Sequence, residues 1–223
     1  MKKRTDKYGL TLIEMLIVVG IIALLTAMIV GVARRIDNQS KERLAENTIA
    51  IINTALGQFK DYKYDYNDIN YRGFVFPLDC NGFDVTLNQP QNVLSAALGA
   101  AVAMTPEPNT TFTGCEVMYF LLSRIPECRS TLDKIDKSLI TSKGTNGQPI
   151  SITIGGVGGN SYPLMRVIDP WKTTLRYDYY DERPLPLTKT QFNNMLESRR
   201  TFPVVISAGP DRIFGTSDDV KNR

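Results

Sequence analysis

Carboxylates in two settings carry the strongest chemical signals in this chain. Glu14 interrupts an apolar run, with Leu10-Thr11-Leu12-Ile13 before it and Met15-Leu16-Ile17 after it, that continues to Val32. At the centre of a bilayer an ionised side chain costs about 3 kcal/mol, so Glu14 calls for a partner of opposite charge or a place at the interface. Far along the chain, Asp211, Asp218 and Asp219 lie in the segment Ala208-Gly209-Pro210-Asp211-Arg212-Ile213-Phe214-Gly215-Thr216-Ser217-Asp218-Asp219. Calcium takes roughly six to eight oxygens, several from carboxylates and the rest from the backbone carbonyls of a bent loop. Here the three aspartates supply the charge, and the backbone oxygens of Ala208 and Thr216 complete the expected shell. The plain alternative is a solvated turn whose acids keep the terminus soluble. The spacing is not that of an EF-hand, which alternates its acidic positions and closes on a glutamate.

Other reactive residues are sparse. Cys115 and Cys128 flank a helix-to-turn segment and are expected to pair in an oxidising compartment, a bond worth about 3 kcal/mol for so short a loop. Cys80 is then left over, and its pairing with either of the other two stays open. The chain has no histidine, the usual acid–base group near neutral pH. It has neither a nucleophile-elbow motif nor a CxxC pair. Gly155-Gly156-Val157-Gly158-Gly159 lacks a Walker lysine and the dinucleotide spacing, so it is expected to turn rather than to hold phosphate. These features argue against an enzyme; the chain is more readily the substrate of one.

Elements must place these residues. Ahead of the apolar run stand Lys2, Lys3, Arg4 and Lys7 against Asp6, and this leader accounts for the whole formal charge of +3. The remainder is neutral, so no basic stripe points to nucleic acid. From Leu10 to Val32 only Thr11, Glu14, Gly20, Thr26 and Gly31 break the apolar composition. At about 1.5 Å per residue such a helix spans a bilayer core of roughly 30 Å. A secretory signal cleaved near Gly31-Val32-Ala33 is the rival reading, and the early acid and the length of the run count against it. Gly20 and Gly31 either soften the helix or open it to close packing by a neighbour. Beyond the run, Leu44, Thr48, Ile52, Ala55 and Phe59 form one stripe, with Ile51 and Leu56 beside it and Lys41, Glu42 and Glu46 on the wet side. One helix is therefore expected from Leu10 to about Lys60.

The junction of basic leader, Gly9, Leu10 and Glu14 resembles the signal of type IV pilins and pseudopilins. That resemblance implies cleavage between Gly9 and Leu10 by a prepilin peptidase and N-methylation of Leu10. The new amino group would then meet Glu14 of a neighbouring subunit in a filament. Such a pair sets register more than it adds energy, because desolvation offsets much of the Coulomb gain. The family also leads one to expect a proline where this chain has Gly31.

The soluble part is less regular. Asp61-Tyr62-Lys63-Tyr64-Asp65-Tyr66-Asn67-Asp68 reads as a polar aromatic loop. Asn92–Met104 and Cys115–Ile125 read as helices separated by Thr105-Pro106-Glu107-Pro108, and Ile150–Ile154 as a strand. Asp169-Pro170-Trp171 reads as a tight turn, with strands at Thr174–Tyr180 and Phe202–Ser207. Turn, strands and acidic tail in that order resemble the major pseudopilin of type II secretion systems, in which Lys172 would be glycine and the tail binds calcium.

The resemblance implies an α+β, type IV pilin-like fold. Its parts would be a leader at 1–9, a transmembrane and filament-core helix at 10–33, the amphipathic half of that helix at 34–62, and a globular domain with a small antiparallel sheet at 63–223. It further implies a single-pass inner-membrane protein with its domain in the periplasm. Such a subunit polymerises with itself and with minor pseudopilins, served by an inner-membrane platform protein and an assembly ATPase, to drive protein export across the outer membrane. The alternatives are a type IV pilin of a surface fibre and a signal-anchored periplasmic binding module that never polymerises.

Overall fold

Helix α1 runs from Leu12 to Asp65, a little past its expected end, in a computed structural model that describes residues 12–65, 76–77, 94–95, 98, 100–105, 113–144, 147–155, 158–178 and 202–222. The chain forms two units, Met1–Lys41 and Glu42–Arg223. In the first, the helix is apolar all round over Leu12–Ile29 apart from Glu14, and its large apolar side chains between Leu12 and Ile36 are exposed. The window Leu12–Ile29 is long and apolar enough to cross a membrane. The helix continues unbroken through Gly20 and Gly31, and a Cβ placed on Gly20 would meet nothing within 4 Å. The Thr26 hydroxyl donates to Ile22 O at 2.7 Å, returning its polar group to the helix. Lys41 and Asp37 close the unit with an ion pair one turn apart, 2.7 Å between Nζ and Oδ2.

In the second unit α1 becomes amphipathic. Thr48, Ile52, Ala55, Leu56 and Phe59 of the expected stripe are buried, Leu44 and Ile51 are half-buried against the core, and Ala45 and Ile49 are buried as well. Against this core pack α2 (Thr113–Ser123) and α3 (Pro126–Leu132). Proline opens α3 at low cost because the first helical residues have no intrahelical acceptor for their N–H groups. The Thr131 hydroxyl of α3 donates to Gln58 Oε1 of α1 at 2.8 Å.

Among the described residues, three small antiparallel sheets accompany these helices. The first has the order β1-β3-β4, from strands β1 (Val102–Thr105), β3 (Ser151–Ile154) and β4 (Asn160–Pro163). A second pairs β2 (Ile140–Thr141) with β5 (Arg166–Val167). In the third, β6 (Arg176–Asp178) pairs with β7 (Val204–Ser207), and β7 with β8 (Val220–Lys221). Gly155 and Gly158, at φ 100° and 86°, lie between the antiparallel strands β3 and β4, and residues 156–157 of the glycine run lie outside the described residues.

Two expectations need correction. Leu94, Ser95 and Leu98 are helical, but Val102–Met104 is not; it belongs to β1, with Met104 opposite Ile152. The Ser95 hydroxyl oxygen accepts the Val102 N–H at 3.0 Å where the strand begins. Asp61–Asp65 continue α1 instead of looping, and residues 66–68 lie outside the described residues.

Candidate functional site

Glu14 lies in the first turn of α1, where the helix dipole favours an acid. Its neighbours Leu12 and Ile13 are 85% and 66% exposed. Exposed apolar side chains extend from there through Ile36, far more than a soluble monomer tolerates. Lipid or other helices must cover such a surface. Gly9 and Leu10 lie outside the described residues.

The three C-terminal aspartates share the loop between β7 and β8, and their oxygens serve the loop itself. Asp211 Oδ1 accepts the Ile213 N–H at 2.8 Å, and Asp219 Oδ2 accepts the Gly215 N–H at 2.8 Å. Asp218 accepts the Thr216 hydroxyl at 2.6 Å and the Asp211 N–H at 3.2 Å. Those two bonds, the hydroxyl foremost, hold its carboxyl below the usual range. Gly209, at φ 65°, closes the base of the loop; a Cβ there would stand 2.3 Å from Asp218 O. Ala208 is buried at the loop's start, and Thr216 enters through its hydroxyl. Among the described residues no three His, Cys, Asp or Glu side chains are grouped to hold a metal ion. One loop oxygen, Asp219 Oδ1, is buried and takes no hydrogen bond.

Residues 4–30 match the prokaryotic N-terminal methylation motif. The match spans Gly9, Leu10 and Glu14 together with most of the exposed apolar helix. It supports a type IV pilin-like protein, and hence processing by a prepilin peptidase, pilus-like assembly and a structural rather than enzymatic role. A long apolar helix near the start of the chain, followed by small antiparallel sheets, is consistent with an α+β pilin-like protein anchored in a membrane by its signal. Neither the curated proteins nor the solved structures contain a match to the chain.

The expected Cys115–Cys128 disulfide is not formed; both are buried free thiols. They sit on different helices and address different elements. Cys115 Sγ donates to Val167 O on β5 at 3.9 Å, and Cys128 Sγ to Ala55 O on α1 at 3.4 Å. Burial pushes both thiols up to about 12, so they stay protonated and unreactive. Cys80 lies outside the described residues.

Sequence reasoning missed a buried ion pair. The Arg166 guanidinium of β5 donates to Glu116 Oε1 of α2, with side chains 2% and 0% exposed, and reaches Thr174 Oγ1 at 3.4 Å. Burial pushes Glu116 up to about 7, against the pull of Arg166. The available signal was a lone glutamate inside Cys115-Glu116-Val117-Met118, the same kind that marks Glu14.

Proposed function

We propose that this chain is a structural subunit of a type II secretion pseudopilus. It is cleaved between Gly9 and Leu10, methylated at Leu10, and held in the inner membrane by residues 10–33 with its domain in the periplasm. It polymerises through α1, so that apolar faces exposed in one chain cover one another in the filament. The observation that supports a polymerising, pilin-like subunit is the methylation motif laid over a helix whose apolar side chains are exposed on every side. Glu14 pairs with the amino group of Leu10 on a neighbouring subunit and penalises every wrong stagger. The Asp169-Pro170-Trp171 turn ahead of β6 and the acidic loop after β7 favour a secretion filament over a surface fibre. Minor pseudopilins, the platform protein and the assembly ATPase are the partners this role requires.

Cysteines introduced on α1 at Leu16 and Ile22 test polymerisation. Crosslinking in native membranes should give a ladder of multimers, and Glu14→Gln should reduce it at least about tenfold while cleavage still occurs. Monomers alone, with Glu14 intact, would mean a non-polymerising anchor. Loss of surface fibres with secretion intact, on deleting the gene, would mean a fibre pilin.

Calcium extends the same proposal to the C-terminal loop. The proposed ligands are the carboxylates of Asp211, Asp218 and Asp219 with the backbone oxygens of Ala208 and Thr216. Support comes from the buried Asp219 Oδ1, an acceptor with no donor, in a loop rich in oxygens. Calorimetric titration of the detergent-solubilised chain should show one site that Asp219→Asn weakens. No heat at millimolar calcium would remove the ion from the account.

A further inference from the structure

We infer that Asp169 is the positioning residue of the C-terminal acidic loop, acting through Ser207, and that it couples the loop to the turn carrying Trp171. Asp169 is 1% exposed and Ser207 fully buried. On one side, Asp169 Oδ1 accepts the N–H groups of Trp171 at 3.0 Å and Thr173 at 2.8 Å. The backbone closes the same turn, Asp169 N–H to Thr173 O at 2.7 Å and Lys172 N–H to Asp169 O at 2.9 Å. On the other side, Asp169 Oδ2 accepts the Ser207 hydroxyl at 2.8 Å.

Ser207 is the last residue of β7 and pairs with Val220, so it stands at the mouth of the loop. Its oxygen in turn accepts the Gly209 N–H at 3.3 Å. Gly209 lies against the backbone of Asp218 so closely that no side chain fits there. A continuous line of hydrogen bonds and contact thus joins the turn to both ends of the loop. The loop's other side-chain bonds described above stay within it, between residues 211 and 219. These bonds fix the loop's shape, whereas Asp169 and Ser207 fix where it is rooted. A carboxylate suits that task, because charge-assisted bonds are shorter and stronger than neutral ones. Coupling of this kind is reciprocal: a change at the loop's root must register at the turn. The inference depends on neither calcium nor polymerisation.

The chain supplies its own reporter. Trp171 is the only tryptophan in the chain, and at 7% exposure its emission follows the packing of the turn. The full chain in mild detergent is compared with Ser207→Ala, Ser207→Thr and Gly209→Ala by hydrogen exchange and by tryptophan emission. Ser207→Ala should raise exchange across residues 208–219 about tenfold relative to β3 and α2, and should shift the emission. Ser207→Thr, which keeps the hydroxyl, should restore both. Gly209→Ala should displace the loop root and shift the emission of Trp171. Loop exchange unchanged in Ser207→Ala, or raised equally throughout the domain, would overturn the positioning role. A Gly209→Ala chain with loosened loop and unaltered emission would overturn the coupling.

Discussion

Lys172 adopts φ 73°, in the left-handed region where a side chain costs about 1 kcal/mol more than glycine. The residue is held there because Asp169 pins the amides on either side of it, those of Trp171 and Thr173. Lys172→Gly should therefore raise stability by about 1 kcal/mol, seen as a higher urea midpoint with an unchanged slope. A lower midpoint would mean that the lysine side chain contributes more than its backbone costs. The sequence already marks Lys172 as a departure from the pattern it resembles. The strain follows only from the carboxylate that builds the turn. Asp211, Asp218 and Asp219 show the same limit. Their proximity in one loop is legible in the sequence, but whether their oxygens face an ion or the loop's own amides depends on backbone angles at Gly209, Arg212 and Gly215, all at positive φ.

At the scale of elements, α2 and β5 are joined by the buried Glu116–Arg166 pair. Removing one partner strands the other charge, so Arg166→Met should cost about 3–5 kcal/mol, whereas Glu116→Leu with Arg166→Met should recover most of that loss. Burial of Glu116, which outweighs the pull of Arg166, also sets a pH dependence. Glu116 rises from an ordinary 4.5 to about 7 in the folded chain, so between these values the folded state holds the proton more tightly than the unfolded state. The resulting stability is complete below pH 4.5 and is lost as pH rises through 7. Denaturant midpoints should fall from pH 5 to pH 8, less steeply in Glu116→Gln; identical slopes in the two chains would contradict this assignment.

Element identity was legible where one face repeats. Thr48, Ile52, Ala55 and Phe59 recur at helical spacing and are all buried. Val102–Met104 was not legible, because its strand conformation is set by β3 opposite. Strands of two residues, such as β2, β5 and β8, have no period to read. The cysteines misled because sequence proximity does not reveal that α2 and α3 direct their sulfurs to β5 and to α1.

The whole molecule combines a helix that leaves its apolar side chains uncovered with a folded domain that has its own core. The signal for the first is local: basic leader, Gly9, Leu10, Glu14 and an uninterrupted apolar run. It could be read from residue types alone, and the methylation motif matches the same stretch, residues 4–30. The domain depends on long-range contacts, such as Asn222 donating to Asn53 Oδ1 on α1 at 2.6 Å, which no local pattern foretells. The most direct test of a processed filament subunit is the intact mass and N-terminal residue of the protein from its native membrane. A chain beginning at N-methylated Leu10 is the predicted result. A chain beginning at Met1 would be an unprocessed anchor, and one beginning near Arg34 a secreted soluble domain; either would contradict the account.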